Sequence, residues 1–385
     1  MPFNILSVDD EMDMQELLRQ KFRRQIRKNE LQFFHASHGQ EALDILMQHP
    51  EINMVLADIN MPIMDGLTLL NKVAKLNRPL LKIVMLSAYG DMRNIRMAMN
   101  RGAFDFINKP IDFSDLEATI IKTEDRIKYL KNQQIEIDRL VSMENEIKAA
   151  AQIQASLLPS INGVFRDFTE VQIGSFIKPA RYVGGDFYDV FEIDSKHLGF
   201  LIADVSGKGI SAAAFMLISH TAINIFAHQG LKANEVLKLA NNYIAKENKE
   251  SMFTTTFYGI LDVDNGLFSY SNGGHNSPLL LSNNNVTTLE RTSNPALGVI
   301  EGIEFGLREI NLNKGDQLVM FTDGVSEAQN LMDEEFGEER MEEIIAQNAQ
   351  ILPMDLNKVM FNSLEIFRGY AEQFDDITLL SFRWK

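Results

Sequence analysis

The chain has 385 residues, a formal charge of −16 and no cysteine. At about 150 residues per domain, that length allows two domains and a connector, and a hydrophobic content of 45% is enough for their cores. The acidic balance excludes a nucleic-acid surface, which needs clustered Lys and Arg, and the lack of cysteine excludes disulfides, zinc–thiolate sites and cysteine nucleophiles. No apolar run reaches the roughly 18 residues of a membrane span. The opening MPFNILSVDD lacks the basic flank and small-residue cleavage site of a signal peptide. A cytoplasmic protein with no membrane and no nucleic-acid partner is expected.

Short apolar runs at 4–8, 31–36, 54–59, 81–88 and 103–107 read as strands, with amphipathic helices at 12–29, 39–49, 66–77 and 91–101 between them. This alternation predicts a doubly wound five-stranded parallel sheet whose crevice lies at the carboxyl ends of the strands. Polar residues collect there. Asp9 and Asp10 close the first strand, Asp58 the third and Ser87 the fourth, and Lys109 follows the fifth. Carboxylates crowded in one crevice repel unless a hard cation such as Mg²⁺ sits among them, and a carboxylate can also attack phosphorus to give an acyl phosphate. Lys109 and Ser87 could hold phosphoryl oxygens.

The Asp9-Asp10 pair, Asp58-Ile59-Asn60-Met61-Pro62 with Asp65-Gly66, Ser87-Ala88 and Lys109-Pro110 together resemble the receiver domain of two-component response regulators. The resemblance implies Asp58 as phosphoacceptor and a sensor histidine kinase as partner. It gives Mg²⁺ to Asp10, Asp58 and the Asn60 carbonyl, with Asp9 nearby, and implies a cis Lys109–Pro110 bond. Phe106 stands where family members carry a switching aromatic, and a core phenylalanine is the alternative.

Residues 112–158 hold no proline or glycine. Ser114 with Glu117 reads as a capping box. Leu116, Ile120, Thr123, Ile127, Leu130, Gln134, Ile137 and Val141 follow at alternating spacings of four and three. A 3.5 period predicts a coiled-coil-like helix pairing two protomers as a homodimer, although a solvated spacer would share the composition. After Val141 the seam meets Glu144 and Lys148, and from Ile147 the apolar pattern changes. The second half is therefore expected to dock on the domain that follows.

Past Pro159, long β runs with a hairpin turn at Asp264-Asn265-Gly266 and separate helical stretches predict an α+β domain of two packed antiparallel sheets flanked by helices. The expected division is 1–125, a helical linker at 126–158, and 159–385. Acids recur at strand ends in Gly184-Gly185-Asp186, Asp204-Val205-Ser206-Gly207-Lys208-Gly209, Thr322-Asp323-Gly324 and Asp375-Asp376. Carboxylates with one backbone carbonyl suit Mn²⁺ or Mg²⁺, and a pair of such ions activates a water and clamps a phosphoryl oxygen.

These motifs, in this order, resemble the PPM phosphatases of the SpoIIE/RsbU branch, and 149–159 resembles the helix preceding that domain. The resemblance implies two Mn²⁺ or Mg²⁺ held by Asp186, Asp204, Asp323, Asp375 and the Val205 carbonyl, with Asp375 favoured over Asp376. Metal-bound water would attack phosphoserine or phosphothreonine directly. It also makes 206–218 a mobile switch region and a phosphorylated STAS-domain anti-sigma antagonist the expected substrate. Arg181 could bind substrate phosphate or merely lie in solvent. His275, in Asn272-Gly273-Gly274-His275-Asn276, could be a catalytic acid or a structural turn residue, and Asp189 reads as a supporting group rather than a ligand. The expected function is a phosphatase controlled by Asp58 phosphorylation, with activation as the expected sign. A catalytically inactive phosphatase-fold adaptor is the alternative.

Overall fold

The structure, a computed structural model, describes residues 2–88, 91–159 and 168–385. It divides into two units, Met1–Ser142 and Met143–Lys385, each with its own cores.

In the first unit, β1 (Phe3–Val8), β2 (Leu31–Ala36), β3 (Met54–Asp58), β4 (Lys82–Ala88) and β5 (Asp105–Lys109) pair in the order β2-β1-β3-β4-β5, all parallel. This is the doubly wound sheet expected. The strands β1 and β3 are buried along their whole length, as a sheet covered on both faces requires. The chain order reverses beside β1, so the crevice opens at the ends of β1 and β3. Helices α1 (Met12–Lys21) and α2 (Arg23–Arg27) replace the single helix predicted over 12–29. The break falls at Phe22, whose buried ring packs on Phe33 at 5.6 Å, a tertiary contact that overrides helix propensity. The remaining helices are α3 (Gly39–Gln48), α4 (Gly66–Ala74) and α5 (Met92–Asn100). Asp65 and Asp91 cap α4 and α5 through their side chains.

Helix α6 (Phe113–Leu157) runs 45 residues, about 68 Å at 1.5 Å per residue. Its cap is Asp112 rather than Ser114: the Asp112 carboxylate accepts from the Ser114 amide at 2.8 Å and from the Ser114 hydroxyl. The predicted seam also divides. Leu116, Ile120, Thr123 and Ile127 are buried, with the three apolar ones in the first unit's own core. Ile137 and Val141 are exposed, and Leu130 is half-buried. Of the predicted seam, the stretch from Leu130 to Val141 is the part that lies outside that core.

The second unit is a sandwich of two five-stranded sheets. One is β13-β10-β9-β8-β7, the other β12-β11-β14-β15-β6. The strands are β6 (Val171–Lys178), β7 (Phe187–Glu192), β8 (His197–Val205), β9 (Thr254–Asp262), β10 (Leu267–Gly273), β11 (Leu279–Ser282), β12 (Asn285–Thr288), β13 (Arg308–Asn311), β14 (Gln317–Phe321) and β15 (Ile377–Trp384). All neighbours within the two sheets are antiparallel. Between the sheets lies an aromatic core in which Phe200 stacks on Phe382 at 4.1 Å. Helices α7 (Ile210–Ala227) and α8 (Ala233–Glu247) cover the first sheet. The short α9 (Asp323–Ser326), α10 (Gly337–Gln347) and α11 (Pro353–Arg368) belong to the second. Among the described residues α7 alone is long and apolar enough by composition to cross a membrane. Here its apolar stripe, Ala212, Phe215, Met216, Ala222 and Ile223, is part of the buried core.

Candidate functional site

At the carboxyl ends of β1 and β3, oxygens of Asp9, Asp10 and Asp58 lie within 4.8 Å of one another. Lys109, at the end of β5, reaches Asp58 Oδ2 at 2.5 Å and Asp9 Oδ2 at 2.9 Å. Burial works against the ammonium, but hydrogen bonds to Asp58 and Asp9 outweigh it and hold the Lys109 pKa above its ordinary value. Ser87 is buried at the end of β4, beside β5. Asn60 is exposed, its amide donating to Asp58 Oδ1 at 3.3 Å. The Lys109–Pro110 bond is cis. Phe106 is half-buried against the cluster that holds Met85 and Ala98.

In the sandwich the four acid motifs converge from separate segments. Asp186 precedes β7 and is 3% exposed. Its Oδ2 accepts from the Thr322 hydroxyl at 2.7 Å and the Thr378 hydroxyl at 2.6 Å. Burial first, then the charges of Asp204 and Asp376, push its pKa well above the carboxylate range. Asp204, at the end of β8, is pushed up to about 7 by burial and by Asp323. Asp323, at the start of α9, is raised by burial and by Asp375. Burial and mutual repulsion thus both work against ionisation of these acids.

The acidic pair divides its work. Asp376 is buried, and its carboxylate accepts from the amides of Ala180 at 2.8 Å and Gly185 at 2.7 Å. Asp375 is half-buried, and its carboxylate meets Lys208 Nζ at 2.9 Å. Lys208 also donates to the Phe374 carbonyl at 2.6 Å and lies over the Phe374 ring. Two glycines are sterically required. A Cβ on Gly184 would stand 2.3 Å from Asp376 Oδ2, and one on Gly324 would stand 1.9 Å from the Asp376 carbonyl.

His275, expected as a catalytic acid or a structural turn residue, lies in a buried turn. It is 1% exposed, its Nδ1 is paired with the Thr255 hydroxyl at 2.9 Å, and burial lowers its pKa to about 4. So buried an imidazole has no open face for substrate, and its lowered pKa keeps it from serving as an imidazolium acid. Arg181 is exposed beside the 207–209 loop, its Nη1 3.8 Å from where a Gly209 Cβ would stand.

Thr322, Thr378, Lys208 and Gln154 were not picked out by sequence reasoning. The two threonines flank named acids and could have been found by asking what would orient a buried carboxylate. Gln154 of α6 donates to the Gly184 carbonyl at 2.7 Å and accepts from its amide at 3.3 Å. Two residues before Asp186, the connector helix thus grips the backbone. Nearby, Glu144 accepts from the Tyr182 hydroxyl at 2.7 Å. Ile147, Ala150 and Ile153 line an apolar groove of about 450 Å³ with Ile210, Ala213 and Leu217 of α7.

A parallel-sheet domain with an acid trio facing a lysine, and then a two-sheet sandwich with acids at its strand ends, define a receiver joined to a PPM phosphatase. The family model of the response regulator receiver domain matches residues 5–121, and that of stage II sporulation protein E (SpoIIE) matches residues 194–385. The chain belongs to the response regulators, and its receiver is followed by a domain of the SpoIIE type. It is 28% identical over 323 residues to Protein IcfG of Synechocystis sp., covering 76% of this chain and 49% of IcfG, so it spans less than half of that relative. Phosphoserine phosphatase RsbU of Bacillus subtilis is 29% identical over 251 residues, covering 64% of this chain and 73% of RsbU. Sporulation initiation phosphotransferase F of the same organism is 30% identical over 118 residues, 31% of this chain and 90% of that protein. The solved SiaA-PP2C domain of Pseudomonas aeruginosa shares the fold, with a TM-score of 0.57 at 20% identity over 64% of this chain and 99% of that one.

Proposed function

We propose that a sensor histidine kinase phosphorylates Asp58, with Mg²⁺ held by Asp10, Asp58 and the Asn60 carbonyl, and that this activates the phosphatase toward a phosphoserine on a STAS-domain anti-sigma antagonist. The observation that carries the reading is the pairing of two acid clusters in one chain, one gripped by Lys109 and one spread over four strand ends. The likeness to phosphoserine phosphatase RsbU supports the substrate class.

In the phosphatase, Asp186, Asp204, Asp323, Asp375 and the Val205 carbonyl would hold two Mn²⁺ or Mg²⁺. The donor set is all oxygen, which fits hard divalent ions and not zinc. When bound, such ions would supply an activated water and neutralise the phosphoryl oxygens. Thr322 and Thr378 fix the free oxygen of Asp186. Asp376 anchors the Gly185 backbone, and Arg181 receives the incoming phosphate. The division into a receiver at 1–125, a linker at 126–158 and a phosphatase at 159–385 is part of this reading.

The test is phosphate release from a phosphorylated STAS-domain protein, comparing the bare receiver with one carrying beryllofluoride at Asp58. We expect faster release with beryllofluoride and no response in Asp58→Asn. Equal rates in both states would discard the proposed control. No release from the STAS protein alongside release from other phosphoproteins would discard the substrate class.

The seam from Leu130 to Val141 pairs two protomers in this reading. About two heptads give a weak coiled coil. Leu130→Asp is expected to turn a sedimenting dimer into a monomer while leaving Asp58 phosphorylation intact. A variant that stays dimeric rejects the seam.

A further inference from the structure

Strand β7 alternates its side chains between two cores. Tyr188 and Val190 face the space between the sheets, while Phe187 and Phe191 lie in the cluster under α7 and α8. Asp189 shares their face. It is a carboxylate, 7% exposed, set between two phenylalanines, and such a group is costly unless paired.

Helix α7 supplies the partners. His220 Nε2 meets Asp189 Oδ2 at 2.8 Å, and Asn224 Nδ2, one turn further on, donates to the same oxygen at 3.1 Å. An N–H on Nε2 would donate to that carboxylate oxygen. The edge of the Phe187 ring meets His220 at 5.7 Å and 82°. A second buried tie, Ser219 Oγ to Thr254 Oγ1 at 2.7 Å, lies one residue away on the helix.

The rest of this contact is apolar: Ala212, Phe215, Met216, Ala222 and Ile223 pack in the cluster shared with β7. Apolar packing alone tolerates a rotated or slipped helix, whereas a buried polar pair selects one register. That register matters for the active site. Helix α7 begins directly after Gly209, whose carbonyl accepts from Ala213, so the segment bearing Val205 and Lys208 hangs from its first turn. Lys208 in turn reaches Asp375, and Asp189 lies three residues past Asp186.

We propose that Asp189, His220 and Asn224 form a latch that sets the register of α7 on β7 and so holds the 205–208 segment in place against Asp186 and Asp375. They are positioning residues, not catalytic ones. The inference rests on the reading that Asp186 and Asp204 hold the metal.

The test uses the full chain, with Mn²⁺ titrated by calorimetry, p-nitrophenyl phosphate hydrolysed at saturating Mn²⁺, and thermal melting as a control. His220→Ala should weaken Mn²⁺ binding about tenfold, the scale of supporting groups behind metal ligands, and lower kcat. His220→Gln places an amide N–H where Nε2 stands and should restore both. If His220→Ala does not fold, Asn224→Ala carries the test with a smaller loss of Mn²⁺ affinity. A lower melting temperature with unchanged Mn²⁺ affinity and kcat would make the cluster mere core packing and overturn the latch. If the wild type itself bound no Mn²⁺ and released no phosphate, the metal-site reading would fall and the latch with it.

Discussion

Asp204→Ala is expected to lower manganese-dependent phosphate release by roughly three orders of magnitude, about 4 kcal/mol of transition-state stabilisation. Asp204 is buried, and the charges of Asp323, Asp375 and Asp376 all act on its carboxyl. Removing it leaves ions with too few oxygens and Asp186 without the neighbour it was arranged against. Asp323→Ala should behave alike, because Asp323 heads α9 with its carboxylate beside Asp375. The informative control is Asp376→Asn. Its carboxylate is occupied by the Ala180 and Gly185 amides, so the change should lower the melting temperature and leave Mn²⁺ binding measurable. The reverse pattern, with Asp376→Asn abolishing binding and Asp375→Asn sparing it, would exchange their roles. Phosphate release by Asp204→Ala within tenfold of wild type would remove Asp204 from the site.

Much of this arrangement was legible because it sits at ends of strands. Asp9, Asp58, Lys109, Asp204 and Asp323 each lie at or next to the end of an apolar run, where period and punctuation can be read from one segment. What escaped depends on other segments. The break at Phe22 comes from a ring packing on a distant strand. The seam of α6 looked continuous because Leu116 to Ile127 and Leu130 to Val141 share one period, yet the first set faces a core of its own domain. Strand β13, Arg-Glu-Ile-Asn, is a polar edge strand with hardly an apolar face, and only its register with β10 defines it. His275 lies in a glycine turn that folds inward so that Thr255, on a distant strand, meets the ring. Asp189 is the instructive case: the alternation of β7 is visible in sequence, but its counterpart His220 is 31 residues away.

In the proposed metal site, cation binding is expected to depend on pH in one direction. An unfolded Asp titrates near 3.9. In the folded, metal-free protein Asp204 is held at about 7, by burial and then by Asp323, and Asp186 is raised by burial and then by Asp204. Between those values the folded state keeps protons that the unfolded chain has lost. This contribution to stability is fully present below about pH 4 and disappears as pH rises through about 7. For one such carboxyl the loss is on the order of 4 kcal/mol as an upper bound, reduced because the acids share protons. Mn²⁺ replaces those protons, so its binding releases them and tightens as pH rises. The melting temperature gained on adding Mn²⁺, relative to EDTA, should therefore be small at pH 5.5 and large at pH 7.5. Taking this difference cancels carboxylates elsewhere, such as Glu41 and Asp112, whose pKa values are lowered and which act in the opposite sense. Asp204→Asn, which cannot titrate, should flatten the pH dependence as well as shrink the gain. A gain of equal size at both pH values in the wild type would mean that the acids are already ionised without metal, and that their repulsion is relieved by Lys208 on Asp375 alone.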